Sequence, residues 1–274
     1  MSRNPASART RPAHRGDAGD GWQGWDEYAR FYDWENARTM GRRDVRYWSG
    51  FVREAGGPVL ELGCGTGRVL APVARAGQPT VGVDRSAEML AYARRRLRRA
   101  RLPRRPALVR ADVTALPLAT GHFGAVLAAY GMLQSLLSDG ALDATLSSVA
   151  RVLRTGGRFG IELVPDVPRW REYPSRISLQ GRMGHRQVPV MLVEQVRQDR
   201  PRGLTIFDHR YVLGTGRACE VREFRVTFRT LPVPEFLARL RTAGFLVDAV
   251  HGGYRGEPFT PHADTWIVLA TKTR

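Results

Sequence analysis

Lysine is all but missing from this chain: Lys272 is the only one among 43 Lys and Arg residues. A formal net charge of +17 would ordinarily point to nucleic acid or an anionic surface. So lopsided a choice of cation is what codon bias in a GC-rich genome produces, and the charge is discounted accordingly. Cysteine is scarce as well. Cys64 and Cys219 make neither a disulfide framework nor a metal-ligand pair, so a reducing cytoplasm is the simplest home. No apolar run of about 18 residues is present to span a membrane, and the N-terminal arginines are followed by no apolar leader; neither membrane insertion nor secretion is expected. Large apolar side chains are almost lacking from residues 1–20, which cannot bury enough surface to order themselves and are expected to form a disordered tail. Aromatics are missing from the densest charge run, Arg94 to Arg101. Without them to stack bases, the run reads as a solvated helix face rather than an RNA grip.

What is present organises itself around Pro58-Val59-Leu60-Glu61-Leu62-Gly63-Cys64-Gly65-Thr66-Gly67. An apolar, β-prone run ends in three glycines separated by single residues, and Arg68 to Arg75 follows with helical spacing. Strand, tight turn and helix in that order either make a bare connection or lay a nucleotide-like ligand across the end of a parallel sheet. Two acids favour the ligand. Thr80 to Asp84 is a second strand ending in a carboxylate about 20 residues past the first glycine, where a ribose is held, and Ala107 to Val113 is a third strand with Asp112 near its end. The Gly-x-Gly-x-Gly spacing lacks the extra residue of a dinucleotide site.

Leu60 to Gly67, Asp84, Ala111-Asp112-Val113 and Arg151 to Gly157 together resemble the ordered motifs of the class I S-adenosylmethionine-dependent methyltransferases, over residues 58–164. The resemblance implies S-adenosylmethionine as cofactor, bound by Tyr28, Glu61, Gly63, Cys64, Gly65, Gly67, Asp84, Arg85, Met89, Asp112 and Val113. The glycine turn would border the methionine part, Asp84 the ribose and Asp112 the adenine amino group, with the Val113 backbone on a ring nitrogen. Tyr28-Ala-Arg-Phe-Tyr32-Asp33 is similar to a stretch that precedes the first motif in many small-molecule members. Thr155 stands where the family usually has proline.

The expected fold is α/β: a Rossmann-like, seven-stranded, mostly parallel sheet with helices on both faces. An N-terminal helical cap would occupy residues 21–57, with aromatics from Trp22 onward and a helix over Arg42 to Val52, and the cofactor core residues 58–164. Ser86 caps a helix that carries Met89 and Leu90. Phe123 to Tyr130 is the fourth strand, Asp139 to Arg154 a helix and Arg158 to Val164 the fifth strand. Residues 165–230 then alternate in four strand-like runs, Arg176–Gly181, Val188–Gln198, Leu204–Leu213 and Val221–Thr230. They read as an inserted antiparallel sheet, either an acceptor lid or a homodimer interface. The core closes over residues 231–274, with a helix from Pro232 and an antiparallel pair, Phe245–Val250 and Thr265–Ala270.

The function expected is methyl transfer to the nitrogen or oxygen of a small molecule. Catalytic candidates are Tyr130, at the end of the fourth strand, and His209 of the insertion; Gln134 beside Tyr130, Asp166 just past the fifth strand and His185 of the insertion, a possible base, are also considered, and Glu162 could be cofactor-side or a buried paired acid. Glu194 and Asp208 are expected to face solvent or pair with arginines. No acidic or histidine cluster has metal-ligand spacing, so no metal is expected. An RNA methyltransferase is the alternative, opposed by the absence of an Asn/Asp-Pro-Pro-aromatic motif after the fourth strand and of a placed nucleophilic cysteine. A non-catalytic, cofactor-binding partner subunit is the third reading.

Overall fold

The computed structural model describes residues 24–39, 43–164, 172–216, 219–263 and 265–273; the expected tail, Trp22 and Asp166 lie outside them. Two helices open the chain, α1 (Trp25–Thr39) and α2 (Arg43–Ala55). The core alternates β1 (Val59–Leu62), α3 (Leu70–Ala74), β2 (Thr80–Asp84), α4 (Ala87–Arg99), β3 (Ala107–Arg110), β4 (Phe123–Ala128), α5 (Asp139–Val152) and β5 (Leu153–Leu163). After the antiparallel strands β6 (Tyr173–Met183), β7 (Val188–Asp199), β8 (Leu204–Leu213) and β9 (Glu220–Arg229), the chain closes with α6 (Val233–Thr242), β10 (Phe245–His251) and β11 (Trp266–Lys272).

One sheet has seven strands in the order β10-β11-β5-β4-β1-β2-β3. Its pairs are parallel except those of β11, which runs antiparallel to both neighbours. Every residue of β1 and β4 is buried, as parallel strands covered on both faces require. Alternation divides them: Leu60, Leu62, Val126 and Ala128 pack with Leu146, Val149 and Phe236 of α5 and α6, while Val59, Ala125 and Leu127 pack with Trp48, Phe51 and Val69 on the side of α2 and α3. The second sheet is a meander, β6-β7-β8-β9, inserted between β5 and α6. Tyr28, Phe31 and Trp34 of α1 bury themselves against its Val190, Leu192, Tyr211 and Val226. Among the described residues no helix is long and apolar enough to cross a membrane.

Several boundaries differ from the sequence reading, each for a local reason. The helix after the glycine turn forms only over Leu70–Ala74, because the turn closes through Gly67 and Gly77 interrupts the other end. The third strand stops at Arg110 because the Asp112 carboxylate caps a 3-10 turn at Val113–Ala115, accepting from the Thr114 N–H at 2.9 Å. Pairing on the fifth strand begins at Leu153, which meets Phe123 before the register shifts at the Gly156-Gly157 corner.

Candidate active site

The glycine turn is built by the backbone. Cys64 N–H donates to the Val83 carbonyl at 2.9 Å and Gly67 N–H to the Cys64 carbonyl at 2.8 Å, and Gly63, Gly65 and Gly67 take φ of +56°, +50° and +75°, the left-handed region open to glycine. Asp84, at the end of β2, ties the turn to α4: Oδ2 accepts from Gly65 N–H and Oδ1 from Ser86 N–H, each at 2.8 Å. Burial raises the Asp84 carboxyl above its ordinary range, against the pull of these N–H groups. Ser86 caps α4, as expected, its Oγ accepting from Met89 N–H at 3.0 Å.

A crevice of about 490 Å³ opens beyond the carboxyl ends of β1, β2 and β4, where open α/β sheets place their ligands. Glu61, Gly63, Cys64, Gly65, Asp84, Arg85, Met89, Asp112 and Val113 all line it. Two members of the predicted set do not. Gly67 faces α4, where a Cβ would come 3.3 Å from that of Ala93, so its smallness serves helix packing. Tyr28 points away from the crevice, its hydroxyl donating to Glu35 Oε2 at 2.9 Å. Tyr32, one helical turn on, takes the place beside the turn: a Cβ on Gly65 would lie 3.7 Å from its ring.

The carboxylates of the crevice differ sharply. Burial would raise Asp112, but the Thr114 N–H and hydroxyl, with Arg85 at 3.2 Å, hold it below its ordinary range. Glu61 is 4% exposed, its Oε2 has no hydrogen-bond partner, and burial pushes it up to about 8 against the pull of Arg68. An orphaned, buried carboxylate oxygen beside a glycine turn fits the α-ammonium of an amino-acid-bearing ligand.

A second cavity, of about 700 Å³, lies between α1, the inner face of the meander and the β10–β11 connection. Trp25, Tyr32, Tyr130 and Phe228 line both spaces, so the two meet at these rings. Tyr130 holds φ +54°, an uncommon conformation for a bulky residue. Burial first, then the nearby Glu35, push its hydroxyl up to about 12, so at neutral pH it is a phenol and not a base. Glu162 is a buried paired acid, accepting from Tyr254 Oη at 2.6 Å and Trp48 Nε1 at 3.2 Å.

His209 enters the second cavity from β8 and is 6% exposed. Its Nδ1 lies 3.2 Å from the Tyr28 hydroxyl. With the Tyr28 proton given to Glu35, a ring carrying Nδ1–H donates to Tyr28; which ring nitrogen carries the proton depends on the tautomer. Nε2 is 2.9 Å from Glu194 Oε2, yet off the line of a good hydrogen bond and otherwise without a partner. Tyr173 and Tyr211 complete the network, donating to Glu194 Oε1 and to Glu35 Oε2. Burial would raise Glu194, but His209 and Tyr173 outweigh it and hold the carboxyl low. The expectation for Asp208 holds, paired with Arg197 and Arg225; Glu194 instead faces the cavity beside His209, with Arg176 near enough to help hold its carboxyl low. His185 sits exposed in the β6–β7 turn, outside the lining of either space. Gln134 is a clamp: its amide donates to the Val164 and Arg229 carbonyls and accepts from Val164 N–H.

Sequence reasoning missed Arg68 and Phe228 as lining residues, and placed Trp25 and Tyr32 only within an aromatic stretch with one side able to close over the ligand. Tyr32 had a signal, since it shares the helix face of Tyr28 at i+4. Phe228 had none, arriving on β9 from the far end of the inserted sheet.

Residues 59–157 match the family model described as a methyltransferase domain. A demethylmenaquinone methyltransferase of Beutenbergia cavernae is 36% identical over 141 residues, which are 49% of this chain and 53% of that protein. The chain spans about half the length of that relative, and 37% of the length of the methyltransferase GfsG of Streptomyces halstedii, to which it is 37% identical over 108 residues (39% of this chain). The solved structure of the CcbJ methyltransferase from Streptomyces caelestis superposes with a TM-score of 0.76 at 22% identity, covering 94% of this chain and 100% of that one. Residues 59–157 are thus similar to a methyltransferase domain, with the ordered motifs gathered around one crevice, and the chain as a whole has the fold of the solved methyltransferase structure.

Proposed function

We propose that this chain transfers a methyl group from S-adenosylmethionine to a nitrogen or oxygen of a small molecule held in the 700 Å³ cavity. The observation that carries the reading is the junction of the two spaces at Trp25, Tyr32, Tyr130 and Phe228. Glu61 would meet the α-ammonium of the cofactor, Asp84 its ribose hydroxyls, and Asp112 and Val113 its adenine. When bound, the sulfonium supplies an electrophilic methyl group, so the protein's task reduces to aligning an acceptor and excluding water. The rings at the junction suit both tasks: they close the passage to solvent, and the Tyr130 hydroxyl, protonated at neutral pH, can orient an acceptor. His209 is the group placed to take a proton. The inserted meander serves in this reading as a wall of the acceptor site, because Glu194, Thr205, Phe207, His209, Val226 and Phe228 all line the cavity.

The RNA alternative loses support here. Arg94, Arg95, Arg98 and Arg99 are exposed on α4, Arg96 is spent on Asp33 at 2.5 Å, and carboxylates outnumber arginines in the lining of the cavity. Calorimetry with S-adenosylhomocysteine, then transfer from labelled S-adenosylmethionine to a panel of small amines and phenols against bulk RNA, tests the proposal. Heat of binding with label in a small molecule is the expected result; no heat, or label only in RNA, overturns it.

A further inference from the structure

The charge of the second cavity runs against that of the whole chain. Cations outnumber acids 43 to 26 in the sequence, yet five carboxylates and three arginines line this space. One of the arginines, Arg229, is engaged by Asp139 at 2.6 Å, and the other two, Arg43 and Arg255, come from α2 and the β10–β11 connection, away from the meander. On the meander side stand Glu35 and Glu194 with His209 between them, flanked by the rings of Tyr28, Phe207 and Phe228. Both carboxylates are held by neutral donors, Glu35 by the Tyr28 and Tyr211 hydroxyls and Glu194 by that of Tyr173; Arg176 lies near enough to help lower Glu194, but it does not line the cavity, so inside the space, among the described residues, the negative charge has no cation of the chain's own on this side.

We infer that this wall binds the acceptor as an alkylammonium ion, so that the atom methylated is nitrogen; the inference rests on the methyl-transfer reading. Glu35 and Glu194 supply the counter-charge, and the surrounding aromatic faces accept the cation and the apolar body that carries it. His209 then has a defined part. In the tautomer whose Nδ1–H is donated to Tyr28, 3.2 Å away, Nε2 is free to take a proton. A proton leaving the ammonium for Nε2 ends 2.9 Å from Glu194 Oε2, which stabilises the imidazolium, and the amine keeps the electron pair of the broken N–H bond as its nucleophilic lone pair. An alcohol acceptor has no need of two carboxylates and would be disfavoured by them, and a carboxylate-bearing one would be repelled.

The test uses the full chain loaded with S-adenosylhomocysteine and three probes that differ only in head group: cyclohexylamine, cyclohexanol and cyclohexanecarboxylate. Affinities are read by saturation-transfer NMR titration, so no turnover is required. The amine is expected to bind about tenfold more tightly than the alcohol, the scale of one charge-assisted contact, with the carboxylate weakest. Glu194→Gln and Glu35→Gln should each remove most of that preference while leaving S-adenosylhomocysteine affinity within twofold, which also certifies that the variants fold. Equal or better binding of the alcohol or carboxylate, binding by none of the three, or a preference untouched in both variants overturns the inference. The cofactor titration separates the failures: no heat with S-adenosylhomocysteine sinks the methyl-transfer reading, whereas normal heat without an amine preference sinks only this one.

Discussion

Glu61 offers the sharpest test of the crevice, because its burial makes a thermodynamic signature that needs no substrate. The side chain lies on fully buried β1 with an unpartnered oxygen, and burial pushes its carboxyl up to about 8. In the unfolded chain a glutamate ionises near 4.3. Between those values the folded protein holds a proton that the unfolded chain has released, so stability falls as pH rises, by about 1.4 kcal/mol per unit. From pH 5.5 to 7.5 that is about 2 to 3 kcal/mol. Glu61→Gln keeps the shape and cannot titrate; relative to it, the wild type should lose roughly 5 to 10 °C of Tm over this window, given 2 to 4 °C per kcal/mol for a domain of this size. Asp84 and Glu162 are also raised by burial, but both proteins share them and the comparison cancels them. Thermal melts followed by circular dichroism at the two pH values suffice. Parallel pH dependence in wild type and variant would refute the assignment of Glu61 as a neutral acid awaiting a cation, and saturating S-adenosylhomocysteine should flatten the wild-type slope.

Three further perturbations bear on other parts of the site. Asp84→Ala removes the proposed acceptor of two ribose hydroxyls, at about 1.5 to 3 kcal/mol for each charge-assisted bond; calorimetry should show S-adenosylhomocysteine affinity down by about 100-fold or more with the far-UV spectrum unchanged, and an affinity within twofold of wild type contradicts the ribose role. Tyr130→Phe should lower kcat without moving the pH–rate profile, since a hydroxyl held up to about 12 does not titrate in the working range; a profile that moves would make it the base. In Gly124→Ala the new Cβ would come 1.9 Å from the Gly56 carbonyl oxygen, so the variant should lose about 3 kcal/mol or more in urea unfolding, and near-native stability would mean that the Gly56 turn yields.

The parts legible in the sequence are those set by local chemistry. Strands β1 and β2 announce themselves as short apolar runs that end in glycine or acid and β4 as a short apolar run, Ser86 announces the start of α4, and β8 was bounded to the residue by Gly203 and Gly214. The crevice was legible for the same reason, since turn and acids belong to consecutive strand ends. The acceptor cavity was not. Its network joins Tyr28 and Glu35 on the first helix with Glu194 and His209 on the meander, and Tyr28 stands 181 positions from His209. Periodicity could say that Tyr28 and Tyr32 share one face of α1, but not which of them would turn to the cofactor, because that depends on how the helix lies between two partners distant in sequence.

The two partners of α1 do not grip it equally. Toward the meander it buries Tyr28, Phe31 and Trp34, each less than 7% exposed, and apolar side chains of this size stabilise by about 1.5 to 3 kcal/mol apiece. Toward α4 it is held by polar contacts, Asp26 on the Ser86 hydroxyl and Asp33 on Arg96, the latter pair about one-third exposed and of the class worth about 0 to 1 kcal/mol. Helix and meander are therefore expected to move as one body, and the seam expected to open most easily is the one beside Ser86 and Asp84, at the end of the crevice proposed for the ribose. Because Trp25 and Tyr32 ride on the same helix and line both spaces, opening that seam for cofactor exchange also displaces two of the four rings at the junction. If the second cavity holds the acceptor, it is complete only when α1 is seated against α4, and binding should be ordered, cofactor first and acceptor second; product-inhibition kinetics showing random order would refute this.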